Sequence, residues 1–133
     1  MKKVFLSGPI RGISREESLK WREECAKILS NNFIVCHALR GREEKETLPD
    51  PRLAIVRDKT DIDSSDIVLV NDTNRDASMI GTAMEVIYAH TKGKVVVIFG
   101  TEHEKDYWLN YHSHVRVPAL EDACVLLQKY FIN

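Results

Sequence analysis

The chain has 133 residues, of which 44% are apolar and 29% are charged, and its formal net charge is −1. These values are typical of one globular domain, and they argue against a disordered chain and against a nucleic-acid-binding protein, which needs a basic excess. No apolar run approaches the roughly 20 residues that span a bilayer, and the start, MKKVFLSGP, predicts a strand rather than a signal peptide.

The three cysteines, Cys25, Cys36 and Cys124, are an odd number and show no paired spacing. This pattern argues against a disulfide framework and favours a reducing compartment, so we expect a cytoplasmic protein. Each cysteine is predicted to be a small buried apolar residue.

The first 37 residues predict a strand, a helix and a second strand. The apolar run from Lys3 to Ser7 is followed by SGPIRG, whose glycines and proline indicate a loop. Ser14 with Glu17 three residues later is a capping-box pattern and predicts the start of a helix. The run from Phe33 to His37 is predicted to be the second strand.

The segment from Ala38 to Asp50 is polar and irregular, and it is either a lid or substrate-facing segment or a solvated connection. Pro51 suits the first turn of a helix. From there the pattern predicts further elements: a helix to about Ser64, strands at Ile67 to Val70, Val95 to Phe99 and Val115 to Val117, a helix opening at Gly81-Thr82, and a last helix from Pro118.

Five strands that alternate with four helices predict an α/β fold, in which a mostly parallel sheet is covered on both faces by helices. We treat residues 1–133 as a single domain, since no linker or repeat interrupts the pattern. The right-handed crossover rule places four loops on one edge of the sheet. That edge, formed by SGPIRG, the loop after His37, NDTNRDAS and GTEHEK, is the predicted active site.

Glu85, near the start of the helix after the third strand, has two interpretations. Thr82 and Glu85 match a capping box, which requires no catalytic role. Alternatively, the helix N-terminus favours an ionised carboxylate, and an ionised carboxylate at a ligand-binding edge is a potential nucleophile.

Asp58 lies on the same side of its predicted helix as Ile55 and Ile62. An acid on an apolar stripe is paired, hydrogen-bonded or shifted in pKa, or it lies at the edge of the buried stripe. Two carboxylates at one sheet edge suit glycosidic chemistry, where a separation of about 5 Å predicts a covalent glycosyl intermediate.

The SGPIRG loop matches neither a dinucleotide-binding nor a P-loop fingerprint. Ser7, Gly8, Arg11 and Gly12 nevertheless supply a hydroxyl, close backbone approach and a guanidinium that could pair with a phosphate. The five histidines show no zinc-ligand spacing. We therefore expect neither a metal nor a cofactor.

Three segments, FLSGPIRG, RDKTDIDSSDIVLV and GTAMEVIYAHTKGKVVVIF, together resemble the nucleoside 2-deoxyribosyltransferase superfamily, which includes the nucleoside 5′-monophosphate N-glycosidases. The resemblance implies a flavodoxin- or Rossmann-like three-layer sandwich that cleaves an N-glycosidic bond through a ribosyl-glutamate intermediate. It places the nucleophile on Glu85 and the catalytic aspartate, which handles protons or positions the sugar hydroxyls, on Asp58.

The resemblance also implies a substrate, a binding set and an oligomer. The substrate is a nucleoside or a nucleoside 5′-monophosphate, and the SGPIRG loop is more similar to the hydrolase branch. Arg40 and Arg42 are further possible anion partners. A neighbouring subunit often completes the pocket in this superfamily, so a homodimer is expected. The implied substrate-binding residues are Ser7, Gly8, Ile10, Arg11, Gly12, Ser78 and Gly81.

Two other functions fit parts of the sequence. One is a nucleotide-sensing domain without catalysis, against which the presence of both carboxylates argues. The other is a phosphoribohydrolase of the lysine-decarboxylase-like type, because GTAMEV is similar to the end of a G-G-x-G-T-x-x-E motif. The glycine pair at the start of that motif is missing here.

Overall fold

A computed structural model describes residues 1–40 and 50–132. Within these ranges, strands and helices alternate along the chain: β1 (Lys3–Ser7), α1 (Arg15–Leu29), β2 (Ile34–His37), α2 (Arg52–Asp63), β3 (Ile67–Asn71), α3 (Ile80–Thr91), β4 (Val95–Phe99), α4 (Tyr107–Tyr111), β5 (Val115–Val117) and α5 (Leu120–Tyr130).

The five predicted strands and four predicted helices are all present, and the structure adds the short helix α4. Asp106 caps this helix by accepting a 2.9 Å hydrogen bond from the backbone N–H of Leu109. Five residues are too few to show a helical period, so the sequence pattern did not predict α4. The last helix begins at Leu120 rather than at Pro118, because Ala119 is still extended.

All five strands are parallel, in the order β2-β1-β3-β4-β5. This is the flavodoxin-like order, and it confirms the predicted α/β fold. The chain leaves β1 toward β2 on one side and returns to β3 on the other side, so a crevice opens between the carboxyl ends of β1 and β3. Ser7, the last residue of β1, pairs with Val70 of β3 beside this crevice.

The sheet is buried on both faces, and alternate residues of each strand enter different cores. Val4 and Leu6 of β1 pack in a core with α1 and α5, whereas Phe5 packs in a second core with α3. Residues of β3 are buried along its whole length. This is the pattern expected for a central parallel strand covered by helices on each side.

The cysteines are buried free thiols, as predicted from the sequence. Cys25 of α1 and Cys124 of α5 form a hydrogen bond with each other where the two helices meet. The Cys36 thiol contacts the carbonyl oxygen of Val4 at 3.8 Å. In the described ranges, the helices are too short or too polar to cross a membrane.

Asp72, the first residue after β3, is a fully buried carboxylate that the sequence analysis did not single out. It accepts hydrogen bonds from Arg116 Nη1 at 2.8 Å and from the His103 backbone N–H at 2.9 Å, and it contacts His103 Nδ1 at 2.6 Å. Arg116 also donates to the carbonyl oxygen of Gly100. One carboxylate therefore joins the segments that follow β3 and β4 to strand β5.

Replacing Asp72 by Asn should lower the free energy of unfolding by about 3 kcal/mol. The change leaves the partly buried Arg116 guanidinium without its counter-charge, and breaking a buried ion pair from one side is strongly destabilising. Urea unfolding followed by circular dichroism measures this loss. Asp76→Asn, at an exposed position in the same loop, should change the stability by less than about 0.5 kcal/mol, and equal effects of the two substitutions would contradict a special role for Asp72.

Candidate active site

A cleft of about 820 Å³ opens at the carboxyl edge of the sheet, at the predicted crevice. Its walls come from the end of β1 and the loop after it and from helices α1, α2 and α3. Both predicted catalytic residues, Glu85 and Asp58, line the cleft. So do five of the seven predicted substrate-binding residues: Gly8, Ile10, Arg11, Ser78 and Gly81.

The Glu85 side chain points to the end of β1 rather than back along its own helix. Helix α3 begins at Ile80, so Thr82 is already inside its first turn and is buried. The N-cap residue is Met79, which has no side-chain hydrogen bond to the helix. Glu85 instead accepts a 2.7 Å hydrogen bond from Ser7 Oγ. The capping-box interpretation of Thr82 and Glu85 is therefore wrong.

Burial, together with the charge of Asp58 and its hydrogen bond with Glu85, raises the pKa of Glu85 to about 8. The Ser7 hydrogen bond and the charge of Arg22 act in the opposite direction but do not outweigh burial. The expectation that the helix N-terminus keeps Glu85 ionised is thus not met. Glu85 lies in the second turn of α3, where the helix dipole has little effect, so desolvation dominates.

Asp58 extends from α2 into the cleft and forms a side-chain hydrogen bond with Glu85. Ile62, one turn later, is buried, but Ile55 is 56% exposed. Asp58 therefore lies at the edge of the buried stripe, where it can reach both the core and the cleft. Two hydrogen-bonded carboxyl groups in one desolvated site share a proton, because both cannot ionise at once without strong repulsion.

Arg22 of α1 also lines the cleft, and the sequence analysis missed it. Its side chain is buried, Nη2 donates to the Gly8 carbonyl at 2.9 Å, and Nη1 donates to the carbonyl and hydroxyl oxygens of Ser18. Burial lowers the pKa of Arg22 to about 10, so it remains protonated at neutral pH. A signal was present, because Arg22 shares the buried face of α1 with Ser18, Cys25 and Leu29.

The SGPIRG loop has little free space around its backbone. A Cβ atom on Gly8 would lie 2.8 Å from the Trp21 ring, so a larger residue would displace that ring. Gly12 has φ +88°, which side chains rarely adopt, and lies against the backbone of Ala77. The carbonyl of Arg11 accepts a 3.2 Å hydrogen bond from the Ser78 N–H. These contacts hold the loops after β1 and β3 together at the cleft.

Two predicted binding residues contribute to the cleft without lining it. Ser7 is buried and acts through its hydrogen bond to Glu85. Gly12 allows the turn that brings Arg11 and Ser78 to the rim. Arg11 itself is exposed, and its guanidinium is available at the mouth of the cleft.

A second group of basic residues follows β2. Arg40 binds Asp61 through two hydrogen bonds of 2.5 and 2.9 Å, and Arg57 donates to the Arg40 carbonyl at 2.8 Å. Arg40 is therefore already engaged, which argues against its predicted role as an anion partner, whereas Arg42 and most of the predicted lid lie outside the described residues. Burial, reinforced by three nearby guanidinium groups, lowers the pKa of His37 to about 4, so this imidazole is neutral at physiological pH.

Histidines form a separate cluster away from the cleft. The His90 ring stacks on His114 at 5.5 Å and contacts the edge of His112 at 5.1 Å. His114 Nδ1 accepts a hydrogen bond from the Val96 N–H. Across residues 1–40 and 50–132, there is no group of three or more His, Cys, Asp or Glu side chains that could hold a metal ion.

A scan of the sequence against protein-family models and a search of curated proteins both find no match. Solved structures do match. The 2-desoxiribosyltransferase from Leishmania mexicana has a TM-score of 0.75 and 15% identity over 99% of this chain and 100% of its own. The 2-deoxyribosyltransferase from Bacillus psychrosaccharolyticus has a TM-score of 0.71 and 21% identity over 91% and 89% of the two chains.

The CMP N-glycosidase of Clostridium botulinum has a TM-score of 0.65 and 20% identity, and the match covers 97% of this chain and 100% of the other. The resemblance predicted from three sequence segments is thereby confirmed at the level of the fold. The chain has the α/β fold of two 2-deoxyribosyltransferases and of a CMP N-glycosidase.

Replacing Glu85 by Gln should stabilise the protein at alkaline pH. The pKa of Glu85 is about 8 in the folded chain and 4.5 in its ordinary state. Between these values the folded chain keeps a proton that the unfolded chain has released, so the stability of the fold decreases as the pH rises. The amide cannot ionise, and we expect the variant to gain about 2 kcal/mol over the wild type at pH 8.5 but little at pH 5.

Thermal unfolding at several pH values measures this difference as a Tm shift of several degrees. Glu23→Gln, at an exposed position on α1, is the matched control and should follow the wild-type pH dependence. Parallel curves for wild type and Glu85→Gln would contradict the raised pKa of Glu85.

Proposed function

We propose that this protein cleaves the N-glycosidic bond of a nucleoside or a nucleoside 5′-monophosphate through a covalent sugar ester of Glu85. One observation carries the proposal: Glu85 and Asp58 form a hydrogen-bonded pair inside a nucleotide-sized cleft. The fold supports it, because the matching structures include 2-deoxyribosyltransferases and a CMP N-glycosidase. Paired carboxyl groups are the usual machinery of glycosidic bond cleavage.

The single shared proton accounts for both steps of the reaction. In the first step, the shared proton moves from Glu85 to Asp58, and the Glu85 carboxylate attacks C1′ while the C1′–N bond breaks and its electron pair passes to the base. Asp58 holds the shared proton and donates it to the departing base. In the second step, water or the nitrogen of another base attacks C1′ and gives its proton to Asp58. The bond between the sugar and Glu85 breaks, which restores the original pair.

Ser7 prepares the nucleophile for this attack. Its hydroxyl hydrogen bond to Glu85 Oε1 holds the side chain toward the cleft and lowers the pKa of Glu85 against the effect of burial. Because Ser7 is the last residue of a buried central strand, its position is fixed by the sheet. The nucleophile is thus oriented before the substrate binds, which reduces the entropic cost of reaching the transition state.

The walls of the cleft offer sites for the three parts of a nucleotide. Apolar side chains, among them Ile10 and Met84, line the cleft and suit a base. The exposed Arg11 guanidinium, the Ser78 hydroxyl and the N-terminus of α3 lie at one rim and suit a 5′-phosphate. The sugar would lie between them, with C1′ at Glu85.

Incubation with matched nucleosides and 5′-monophosphates, as ribo and deoxyribo forms, tests the proposal when base release is followed by chromatography. We expect base release by the wild type, a loss of at least 10³-fold in Glu85→Ala, and a loss of 10²- to 10⁴-fold in Asp58→Asn, the range for proton transfer by a positioned side chain. Glu23→Gln serves again as the control and should remain fully active.

Two comparisons within this panel sharpen the result. Faster cleavage of monophosphates than of the matching nucleosides would support phosphate binding at Arg11 and Ser78, and an added free base separates transfer from hydrolysis. Full activity of Glu85→Ala would exclude the covalent mechanism. Tight nucleotide binding with no base release over hours would instead indicate a non-catalytic sensing domain.

We also propose that the protein is a homodimer whose interface covers the mouth of the cleft. Ile55 of α2 and Ile80 and Met84 of α3 line the cleft but are 56%, 73% and 63% exposed. Grouped apolar side chains at a rim are typical of an interaction surface. A second subunit placed there would cover these side chains and close the cleft to water.

Replacing both Ile80 and Met84 by Asp should convert the dimer into a monomer, because the new charges would be buried without partners. Light scattering coupled to size-exclusion chromatography measures the mass. Val125→Asp on α5, where Val125 is 62% exposed in the opposite helix layer, is the control and should remain dimeric. A monomeric wild type at micromolar concentration would overturn the proposal.

A further inference from the structure

Among the described residues, Arg22 has the largest fully buried side chain. A guanidinium is among the most costly groups to remove from water, so its burial requires compensation. Carbonyl and hydroxyl oxygens provide part of it: Nη1 donates to Ser18 twice and Nη2 donates to Gly8. Within the described part of the chain, Nε has no hydrogen-bond partner. The charges of Glu85 and Asp58 provide further compensation.

The geometry connects Arg22 to the nucleophile through two residues. The Gly8 carbonyl that accepts from Arg22 follows directly after Ser7, and Ser7 donates to Glu85. The Trp21 ring packs 4.7 Å from the guanidinium carbon and also fills the space beside Gly8. Arg22 thus fixes the end of β1 on which the orientation of Glu85 depends.

The positive charge of Arg22 opposes the negative charge of the carboxyl pair. Glu85 and Asp58, with one shared proton, carry a charge of about −1, and both interact electrostatically with Arg22. In a site of low effective dielectric constant such interactions are strong. The protonated guanidinium favours the state in which the pair has one proton over the state in which it has two.

Building on the proposed function, we propose that Arg22 is a positioning residue that keeps the Glu85–Asp58 pair at one shared proton, the charge state needed for nucleophilic attack. The guanidinium does not touch the reacting atoms. It acts by its charge on the carboxyl pair and by its hydrogen bond to the loop that holds Ser7.

The other ionisable groups near the pair differ from Arg22 in charge, pairing or exposure. His37 is neutral at physiological pH, because burial and nearby guanidinium groups lower its pKa to about 4. Arg40 is paired with Asp61. The remaining groups lie along the cleft or near His37 and are exposed or partly exposed: Arg11, Lys59, Tyr88 and Arg57.

Substitutions that separate charge from hydrogen bonding test this role. Arg22→Gln removes the charge but keeps a donor for the Gly8 carbonyl, whereas Arg22→Lys keeps the charge on a different donor. Arg22→Met removes both the charge and the hydrogen-bond donors with a side chain of similar volume. It replaces Arg22→Gln in the test if Arg22→Gln destabilises the fold, because apolar replacements of buried charges are often tolerated. Circular dichroism confirms that each variant is folded.

The first readout is the titration of the carboxyl pair, followed by ¹³C NMR of labelled Glu and Asp and assigned by comparison with Glu85→Gln. We expect the pH at which the pair takes up its second proton to rise by about one unit in Arg22→Gln and Arg22→Met, and to remain near the wild-type value in Arg22→Lys. Each unit corresponds to a tenfold change in the proton-binding constant.

The second readout is the pH profile of kcat/KM for the best substrate of the panel. The loss in Arg22→Gln relative to the wild type should increase as the pH falls, and on the acid limb it should approach a value about tenfold greater than at pH 7.5, since the inactive doubly protonated pair accumulates at low pH. The pH profile of Arg22→Lys should have the same acid limb as that of the wild type, even if the maximal rate of this variant is lower. A merely structural role would lower the rate equally at every pH.

The two readouts separate failure of this inference from failure of the proposed function. If the wild type cleaves no substrate, the NMR titration still measures the effect of Arg22. If base is released but Arg22→Gln titrates like the wild type, the inference about Arg22 is wrong and the catalytic proposal stands. A titration of Arg22→Lys that matches Arg22→Gln would also overturn the role of charge.

Discussion

The hydrogen bond between the Glu85 and Asp58 side chains is the interaction around which this molecule is arranged. Two carboxyl groups taken from water repel each other when both are ionised, so a single proton must be shared between them. Around the pair, Ser7 donates a hydrogen bond to Glu85, and the charge of Arg22 acts on the pKa of Glu85 in the direction opposite to burial.

The fold supplies the four residues from four different elements. Ser7 ends β1, Arg22 lies on α1, Asp58 on α2 and Glu85 on α3. They meet because the strand order reverses between β1 and β3, which leaves a crevice at the carboxyl edge of the sheet. Separate buried interactions hold this edge in shape, among them the Asp72 carboxylate that joins the ends of the neighbouring strands.

The burial that makes the site chemically useful also makes it thermodynamically costly. A Glu85 pKa near 8 means that ionising this carboxyl group works against the stability of the fold at neutral and alkaline pH. The buried Arg22 guanidinium has a similar cost, which its hydrogen bonds to Ser18 and Gly8 reduce. Buried ionisable groups with strongly shifted pKa values are typical of functional sites rather than of cores selected for stability alone.

The sequence by itself determined the order of the five strands and the four longer helices, the parallel sheet and the edge on which the loops gather. These follow from local hydrophobic periodicity and from the handedness of crossovers. It also indicated Asp58, because an acid beside an apolar stripe is visible in the spacing. The same reasoning applied to α1 would have indicated Arg22, which shares a face with Cys25 and Leu29.

Only the tertiary structure decided which way Glu85 points and what its charge is. The Thr82–Glu85 spacing predicted a helix cap, but the start of α3 at Ile80 moved Thr82 into the helix and turned Glu85 toward Ser7. Seventy-eight positions separate the two partners of that hydrogen bond along the chain. A local pattern carries no information about such a partner or about desolvation, because both arise only when distant segments pack together.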